Sequence, residues 1–559
     1  MYLDYVVDIP DVKGKITFRT KGQARYVYYE YSREYDPSKQ YTNVKRVTIG
    51  KVLPEDENKM RPNENFRKYF PEIEHPEEKT VSCRSSCLKT GAYMIIDKAA
   101  KDLELDTKLR DSFGAKAAGI MLDLAAYSII TEGNAAQYYP DYAYNHPLFT
   151  PDMKCYSDSF LSDFLRSIKE NQRQDFLDQW NADRCKRERI YISYDSTNKN
   201  CQAGDIDIVE FGAAKVDAGL PIFNYAVGYD VNNREPLMYE KYSGSINDVS
   251  QLQFMVDKIK GYGYKNIGFI LDRGYFSKDN LNYMDSSGFS FIIMVKGIKD
   301  FISSQVRKLK GTFENNWGNR IEEFEVYGKT VHAFVYASDT KKRYIHIYYS
   351  AAKAVGERAR LEEKIHEMQR FMEQHEDKEY EFGPAFHKYF HMHYNKENGH
   401  FVYGEPKLPV IQDELELCGY FAIISSEKMD AKDAINLYKS RDVSEKVFRA
   451  DKSYLGNHCL RVASNKIFIG FLALIIRCRI YTALKEKAKE LAKKPNYLTV
   501  PAAIRELEKI EMTRQLDKVY RLDHAVTKTQ KVILSAFGMD WNHVKYRAEN
   551  ISKILKGVQ

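Results

Sequence analysis

Between residues 189 and 297 the hydrophobic period of the chain switches in an order that few folds accommodate. RIYISYDST reads as a strand, and IFNYAVGYD and EPLMYEKYSG as two more. Residues 247–260 read as an amphipathic helix, KNIGFILDRG as a buried strand, SKDNLNYMDSSG as a short helix and FSFIIMVKG as a further strand. The period moves between two and about 3.6 residues, the signatures of strand and helix. A β-β-β-α-β-α-β succession predicts an α/β layout, a sheet with helices laid on it.

Two of these strands end on an acid. Asp195 closes RIYISYD and is followed by Ser196, Thr197 and Asn198; Asp272 closes FILD. If the strands are neighbours, both carboxylates emerge at one edge, where their repulsion is relieved by a cation between them. Hard oxygen ligands select Mg²⁺ or Mn²⁺. A single strand-end Asp equally serves to start a turn. A third carboxylate, Glu445, lies in DAINLYKSRDVSEKVFRADKSYL, read as a helix with Asp430 available as its cap. Tyr438, Arg441, Glu445 and Lys452 follow one another at three, four and seven residues and so share one helical face, with Val443, Val447 and Ala450 opposite. Such spacing suits a site, and it also suits a solvated face with Arg441 pairing to Glu445.

Tyr-x2-Arg-x3-Glu-x6-Lys resembles the motif of the large bacterial insertion-sequence transposases often called family four, and Tyr438, Arg441, Glu445 and Lys452 fill its four positions. YISYDST resembles that group's first acidic strand, and LDRGYFSKDNL its second, an Asp-Arg-Gly followed by a helix. FRADK, FLALII and the upstream MRPNENFRKYFP resemble further parts of the same group. The motif departs at Asp442 and Ser444, where many relatives carry a bulky and an apolar residue. The resemblance implies an RNase H-like core interrupted by a β-rich insertion, and a DDE transposase that cuts transposon ends and joins them to target DNA. It implies two Mg²⁺ ions, with Mn²⁺ able to substitute, held by Asp195, Asp272 and Glu445, Asp195 bridging. Arg441 and Lys452 would grip phosphates, as would Arg273, for which a structural ion pair is the other reading. Tyr438 would bond a phosphate or stack on a displaced base. Two readings stay beside it: a transposase-derived DNA-binding protein without catalysis, and a nuclease without strand transfer. Double-stranded DNA is the expected partner, and pairing two ends implies a homodimer in the DNA complex.

The remaining sequence is divided around that core. Residues 1–80 alternate aromatic or β-branched residues with Lys and Arg. ARYVYYEYSREYD and NVKRVTIGKVL are expected as strands around DPSKQYTN, one side either basic enough for DNA or simply solvated. Residues 81–187 are helical in period: LRDSFGAKAAGIMLDLAAYSIIT reads as one helix, SDSFLSDFLRSIKENQRQDFLDQWNADRC as another capped by Ser157 or Ser159. The core is expected at 188–299 and 413–490, the β-rich insertion at 300–412, and a helical, basic tail at 491–559.

Composition narrows the classes. A chain of 559 residues with 43% hydrophobic and 29% charged residues is a folded, multi-domain protein. A net charge of +7 favours a polyanion partner only weakly. The 42 tyrosines read first as strand formers and second as stacking surfaces. Cys83 and Cys87 lack the second half of a zinc site. His387, His391, His393 and His400 follow no ligand spacing, and there is no G-x-x-x-x-G-K-[ST] phosphate loop. Trp317 reads as a packing residue or a wedge into unpaired DNA. The start of the chain lacks a signal-peptide core, and the apolar run Ile467 to Ile476 is short for a bilayer span and reads as a buried helix. A cytoplasmic protein, nucleoid-associated when on DNA, with no membrane role, is expected.

Overall fold

The computed structural model describes residues 2–3, 5–22, 24–73, 84–133, 135–201, 209–210, 221–243, 248–297, 300–442, 459–460, 465–491 and 495–557. The chain divides into two compact units, Met1–Cys83 and Arg84–Gln559.

In the first unit the aromatic alternation forms a long hairpin, Ala24–Asp36 against Tyr41–Val52, with Asp36 opposite Tyr41 across the turn. Ile16–Lys21, Lys59–Pro62 and Val7–Asp8 complete a five-stranded antiparallel sheet. Val27, Ile49, Met60 and Phe66 are fully buried on one face. The other face is less basic than its sequence suggests. Glu30 is 3% exposed and is bonded by both Arg33 and Arg46, which consumes two of the cations.

The second unit is built on a mixed sheet of ten strands among the described residues. Its order is Glu235–Ser243, Ile222–Asp230, Ile190–Cys201, Ile267–Leu271, Ser290–Met294, Tyr420–Ser425, Arg343–Tyr349, Val326–Ala333 and Arg320–Ile321, with Cys459–Leu460 also paired to Ile190–Cys201. The strands 190–201, 267–271 and 290–294 run parallel, and the strands flanking them on either side are antiparallel. This central mixed sheet flanked by helices resembles an RNase H-like core.

Three differences from the expected layout have simple causes. The strands at 320–349 do not form a sheet of their own; they extend the central one, because Tyr420–Ser425 bonds Ser290–Met294 on one edge and Arg343–Tyr349 on the other. Only residues 351–417 carry a separate small core, around Phe382, Phe390 and Phe401. The long helix read over residues 109–131 breaks at Gly114, whose φ of 80° ends Leu105–Phe113 and starts Ala115–Thr131. The tail is not wholly helical: Glu511–Arg514 pairs with Tyr520–Leu522 and with Cys87–Lys89, Met512 facing Leu88. Strands of three or four residues that pair across hundreds of positions leave no periodic trace.

Helices cover both faces. Ile190, Ile192 and Tyr194, with Ile267, Phe269 and Leu271, pack on Leu252, Met255, Leu281 and Met284 from the helices Asp248–Gly261 and Lys278–Ser287. The opposite face, at Phe223, Tyr225, Val227 and Tyr239, carries the helix Lys466–Glu490. Behind that helix lie the helices of residues 91–182, which therefore share one core with the sheet. Trp180 Nε1 donates to Pro236 O at 3.0 Å, and Arg184 pairs with Glu235 at 3.1 Å, fastening those helices to the sheet edge. The apolar run at 467–476 lies in a 25-residue helix, longer than the run suggests and apolar enough to cross a membrane, yet 83% of its apolar window is buried inside the protein.

Candidate active site

The alternation of the strands decides where the two Asp side chains go. Ile190, Ile192, Tyr194 and Ile267, Phe269, Leu271 occupy one face, so Asp195 and Asp272 occupy the other. Tyr194 is paired with Leu271 in parallel register. Asp195 and Asp272 are thus the next neighbours across the two strands, at an interstrand spacing of about 5 Å. Asp195 does not end its strand as the sequence suggested. The strand runs on to Cys201, because its far edge still bonds Ile222–Asp230, Asp195 opposite Val227. Asp272 does lie at an end: Leu271 is the last strand residue, and a short 3-10 turn, Arg273–Tyr275, follows.

The face that carries the pair is covered on the Asp272 side by the helix Ala431–Lys439. Asp430 caps it, accepting from Asp433 N at 2.8 Å. Ala431, Ala434, Ile435 and Tyr438, the i, i+3, i+4, i+7 stripe, pack on Ile270, Ile292, Ile423 and Tyr348. Tyr438 therefore belongs to the packing face, 3% exposed, and not to an open polar face. Its hydroxyl alone reaches the site, donating to Asp272 Oδ1 at 3.3 Å. The described helix ends at Lys439 with Ser440 as its C-cap, and the turn that follows brings Arg441 back over the ring, 5.2 Å from its centroid. The Arg441 guanidinium lies 3.4 Å from Asp272 Oδ1 and its side chain is 12% exposed.

Asp195 Oδ1 accepts from Ser196 N at 2.9 Å. Arg273 is exposed and forms no ion pair among the described residues. Asp272, Tyr438 and Arg441 are thus brought together, with Asp195 next to Asp272 on the neighbouring strand and Arg273 one residue past Asp272. Glu445 and Lys452 lie outside the described residues, as do Val443, Val447 and Ala450.

The same sheet face carries cations that lie outside the motif. Lys199, two alternations beyond Asp195, is 3% exposed and stands 4.3 Å over the Tyr225 ring. Lys241 follows Tyr239 on this face, and burial, with the nearby Arg173 guanidinium, holds its ammonium below the usual lysine range. Period two counted onward from Asp195 would have found Lys199; Lys241 depends on strand pairing.

Two adjacent carboxylates beside one guanidinium fit a hard divalent cation, as far as a donor set of two goes. Among the described residues no group of three or more His, Cys, Asp and Glu is placed to hold a metal ion. His393 of the inserted segment stacks on Tyr403 and meets Glu405 at 3.3 Å, an ordinary surface contact.

Residues 205–478 match the family model described as a transposase DDE domain. Asp272 and Glu445 lie within the matched segment and Asp195 just before it. A search of curated proteins returns no match. Among solved structures, a piggyBac transposase synaptic complex with hairpin DNA aligns over 83% of this chain and 82% of that one, at 10% identity and a TM-score of 0.34. A Mos1 transposase paired-end complex with a left transposon end aligns over 40% of this chain and 64% of that one, at 10% identity and a TM-score of 0.14.

Proposed function

We propose that this chain, whose residues 205–478 match a transposase DDE domain model, is a DDE-superfamily DNA transposase that cuts at transposon ends and transfers the strands into target DNA. Within that superfamily the Tyr-Arg-Glu-Lys motif assigns it to the family-four group of insertion sequences. The observation that supports the reading is the parallel register Tyr194–Leu271, which sets Asp195 and Asp272 next on neighbouring strands, with Tyr438 and Arg441 against Asp272.

Asp195, Asp272 and Glu445 would hold two Mg²⁺ ions, or Mn²⁺ in their place. When bound, such a pair supplies activation of a water or 3′-hydroxyl and stabilisation of the leaving oxygen in an in-line displacement. The remaining work falls to the chain. Tyr438 fixes the rotamer of Asp272 through its hydroxyl, so this carboxylate is oriented before DNA arrives. Arg441 balances the charge of the acidic pair, and its planar fork is matched to a phosphate that enters beside Asp272. Arg273, exposed one residue on, and Lys452 hold phosphates further along the strand and set register without reading sequence. The helix Lys466–Glu490 and the helix Ala431–Lys439 hold the sheet face rigid on either side, which keeps the carboxylates at one separation.

Double-stranded DNA, both element end and target, is the partner on this reading, with two copies of the chain pairing two ends. The protein acts in the cytoplasm, at the nucleoid when bound. Cleavage of the element's end DNA with Mg²⁺ tests the reading, with Asp195→Asn and Glu445→Gln beside the wild type. Both variants are expected to bind the DNA and to cut it at least a hundredfold more slowly. Wild-type cutting by either would sink the assignment, and wild-type binding without cutting would leave a DNA-binding descendant.

A further inference from the structure

The tail of the chain, after Pro495, carries an excess of cations that the acidic site does not use. In the fold three of them share one face of the helix Trp541–Gly557, which lies against the strand Tyr520–Leu522. Tyr520 N donates to Ser552 Oγ at 3.0 Å and holds the two together. Val544, Ala548, Ile551 and Leu555, each no more than 4% exposed, seat the helix in the core, so the outward face has a fixed geometry. Between strand and helix runs a groove of about 740 Å³.

Three lysines line it from the helix side, Lys545, Lys553 and Lys556, all exposed. None of them forms an ion pair among the described residues, although Glu549 stands one turn from both Lys545 and Lys553. Arg521 and His524 line the strand side but are already matched by Asp517 at 2.5 Å and Asp523 at 3.2 Å. The groove therefore keeps three lysines against one glutamate. Trp541 closes one end, with the Lys545 ammonium 5.2 Å from its ring. Eleven residues separate the first lysine from the last, about 16 Å along the helix axis. A single phosphate would need one cluster of donors; a stripe of this length suits a polymer of phosphates.

We propose that this groove binds the sugar-phosphate backbone of double-stranded DNA, as a second contact surface apart from the acidic pair. It rests on the reading of the chain as a DNA-acting enzyme and adds where the duplex is held. The lysines contact phosphates and contribute no base readout, so they strengthen binding to every sequence alike.

The test uses the full chain and a duplex of arbitrary sequence, with affinity measured across a salt series. Each phosphate-contacting lysine contributes about 0.9 to the slope of log affinity against log salt. The variant carrying Lys545→Gln, Lys553→Gln and Lys556→Gln is expected to lose two to three units of that slope, with unchanged Tm because the side chains are exposed. An unchanged slope overturns the groove assignment while leaving the acidic site standing. A lowered slope on an acidic protein or an RNA duplex, with DNA unaffected, also overturns it and names the other partner. Failure of the wild type to bind DNA at all refutes both this proposal and the transposase reading. Cutting by Asp195→Asn refutes only the latter.

Discussion

The hydroxyl of Tyr438 donates to Asp272 Oδ1 across 3.3 Å, while the ring behind it is packed among Ala434, Ile435 and Ile270. One residue thus anchors the covering helix in the core and orients a carboxylate. The two roles separate in Tyr438→Phe, which keeps the ring and loses the hydroxyl. Tm is expected to stay within a few degrees. A hydrogen bond to a charged acceptor contributes about 1.5–3 kcal/mol, and this one is long, so a fall in cleavage rate of about tenfold is expected. Single-turnover cleavage measures it; an unchanged rate would show that Asp272 is oriented by other means.

Arg441 lies beside the same oxygen at 3.4 Å, so guanidinium and metal ion compete for Asp272. Arg441→Gln leaves the acidic pair less compensated and is expected to lower stability without metal by about 1 kcal/mol. It should also bind Mg²⁺ more tightly, so the rise in Tm on adding Mg²⁺ becomes larger than in the wild type. Cleavage is expected to fall even so, because a phosphate contact is lost. An equal Mg²⁺-induced rise in both proteins would refute the competition.

The covering helix approaches the sheet over a glycine. A Cβ placed at Gly328 would stand 2.9 Å from the Ala431 Cβ and 3.0 Å from both Ile321 Cδ1 and Tyr348 Cδ1. Gly328→Val is expected to lift the N-terminal end of the helix and cost about 1–3 kcal/mol. Because the same helix carries Tyr438, cleavage should fall more than unfolding accounts for, measured at a temperature where the variant is fully folded. A variant as stable as wild type would mean that the helix is less closely seated than its contacts indicate.

His346 sits under this helix with no exposure, its Nδ1 2.9 Å from Thr330 Oγ1 and its Nε2 2.9 Å from Ser425 Oγ. Burial pushes its imidazole down to about 4, with Asp430 opposing. In the unfolded chain it titrates near 6.5. The folded state therefore binds fewer protons between those values, and stability is lost as pH falls from about 6.5 towards 4, by roughly 3 kcal/mol in all. His346→Gln removes that dependence. Its deficit in Tm against the wild type should be largest at pH 7 and shrink at pH 5; a constant deficit would place the His346 titration elsewhere.

Legibility in the sequence followed the range of the interactions. Asp195 and Asp272 stood out because each follows a run of apolar strand residues, and Asp430 because a cap is a local device. The helix at 431–439 was visible, but the side of it that faces the core was not. Counting Tyr438 with Arg441 put both on an open face, whereas a tyrosine can bury its ring and still offer a hydroxyl. Gly114 passed as an interior helix residue until its positive φ showed the break.

The sequence by itself determined the α/β order, the two acid-bearing strands with a Tyr-x2-Arg helix downstream, and the resemblance that the match to a transposase DDE domain model over residues 205–478 parallels. These rest on period and spacing, which are properties of neighbouring residues. Tertiary structure alone decided that Asp195 and Asp272 share a sheet face and a register. It likewise decided that the strands of 320–349 belong to the central sheet and that Lys545, Lys553 and Lys556 line one groove. Each of these depends on which edge hydrogen-bonds to which and on how helices seat against a sheet. Such contacts join residues far apart in the chain, and local pattern carries no record of them.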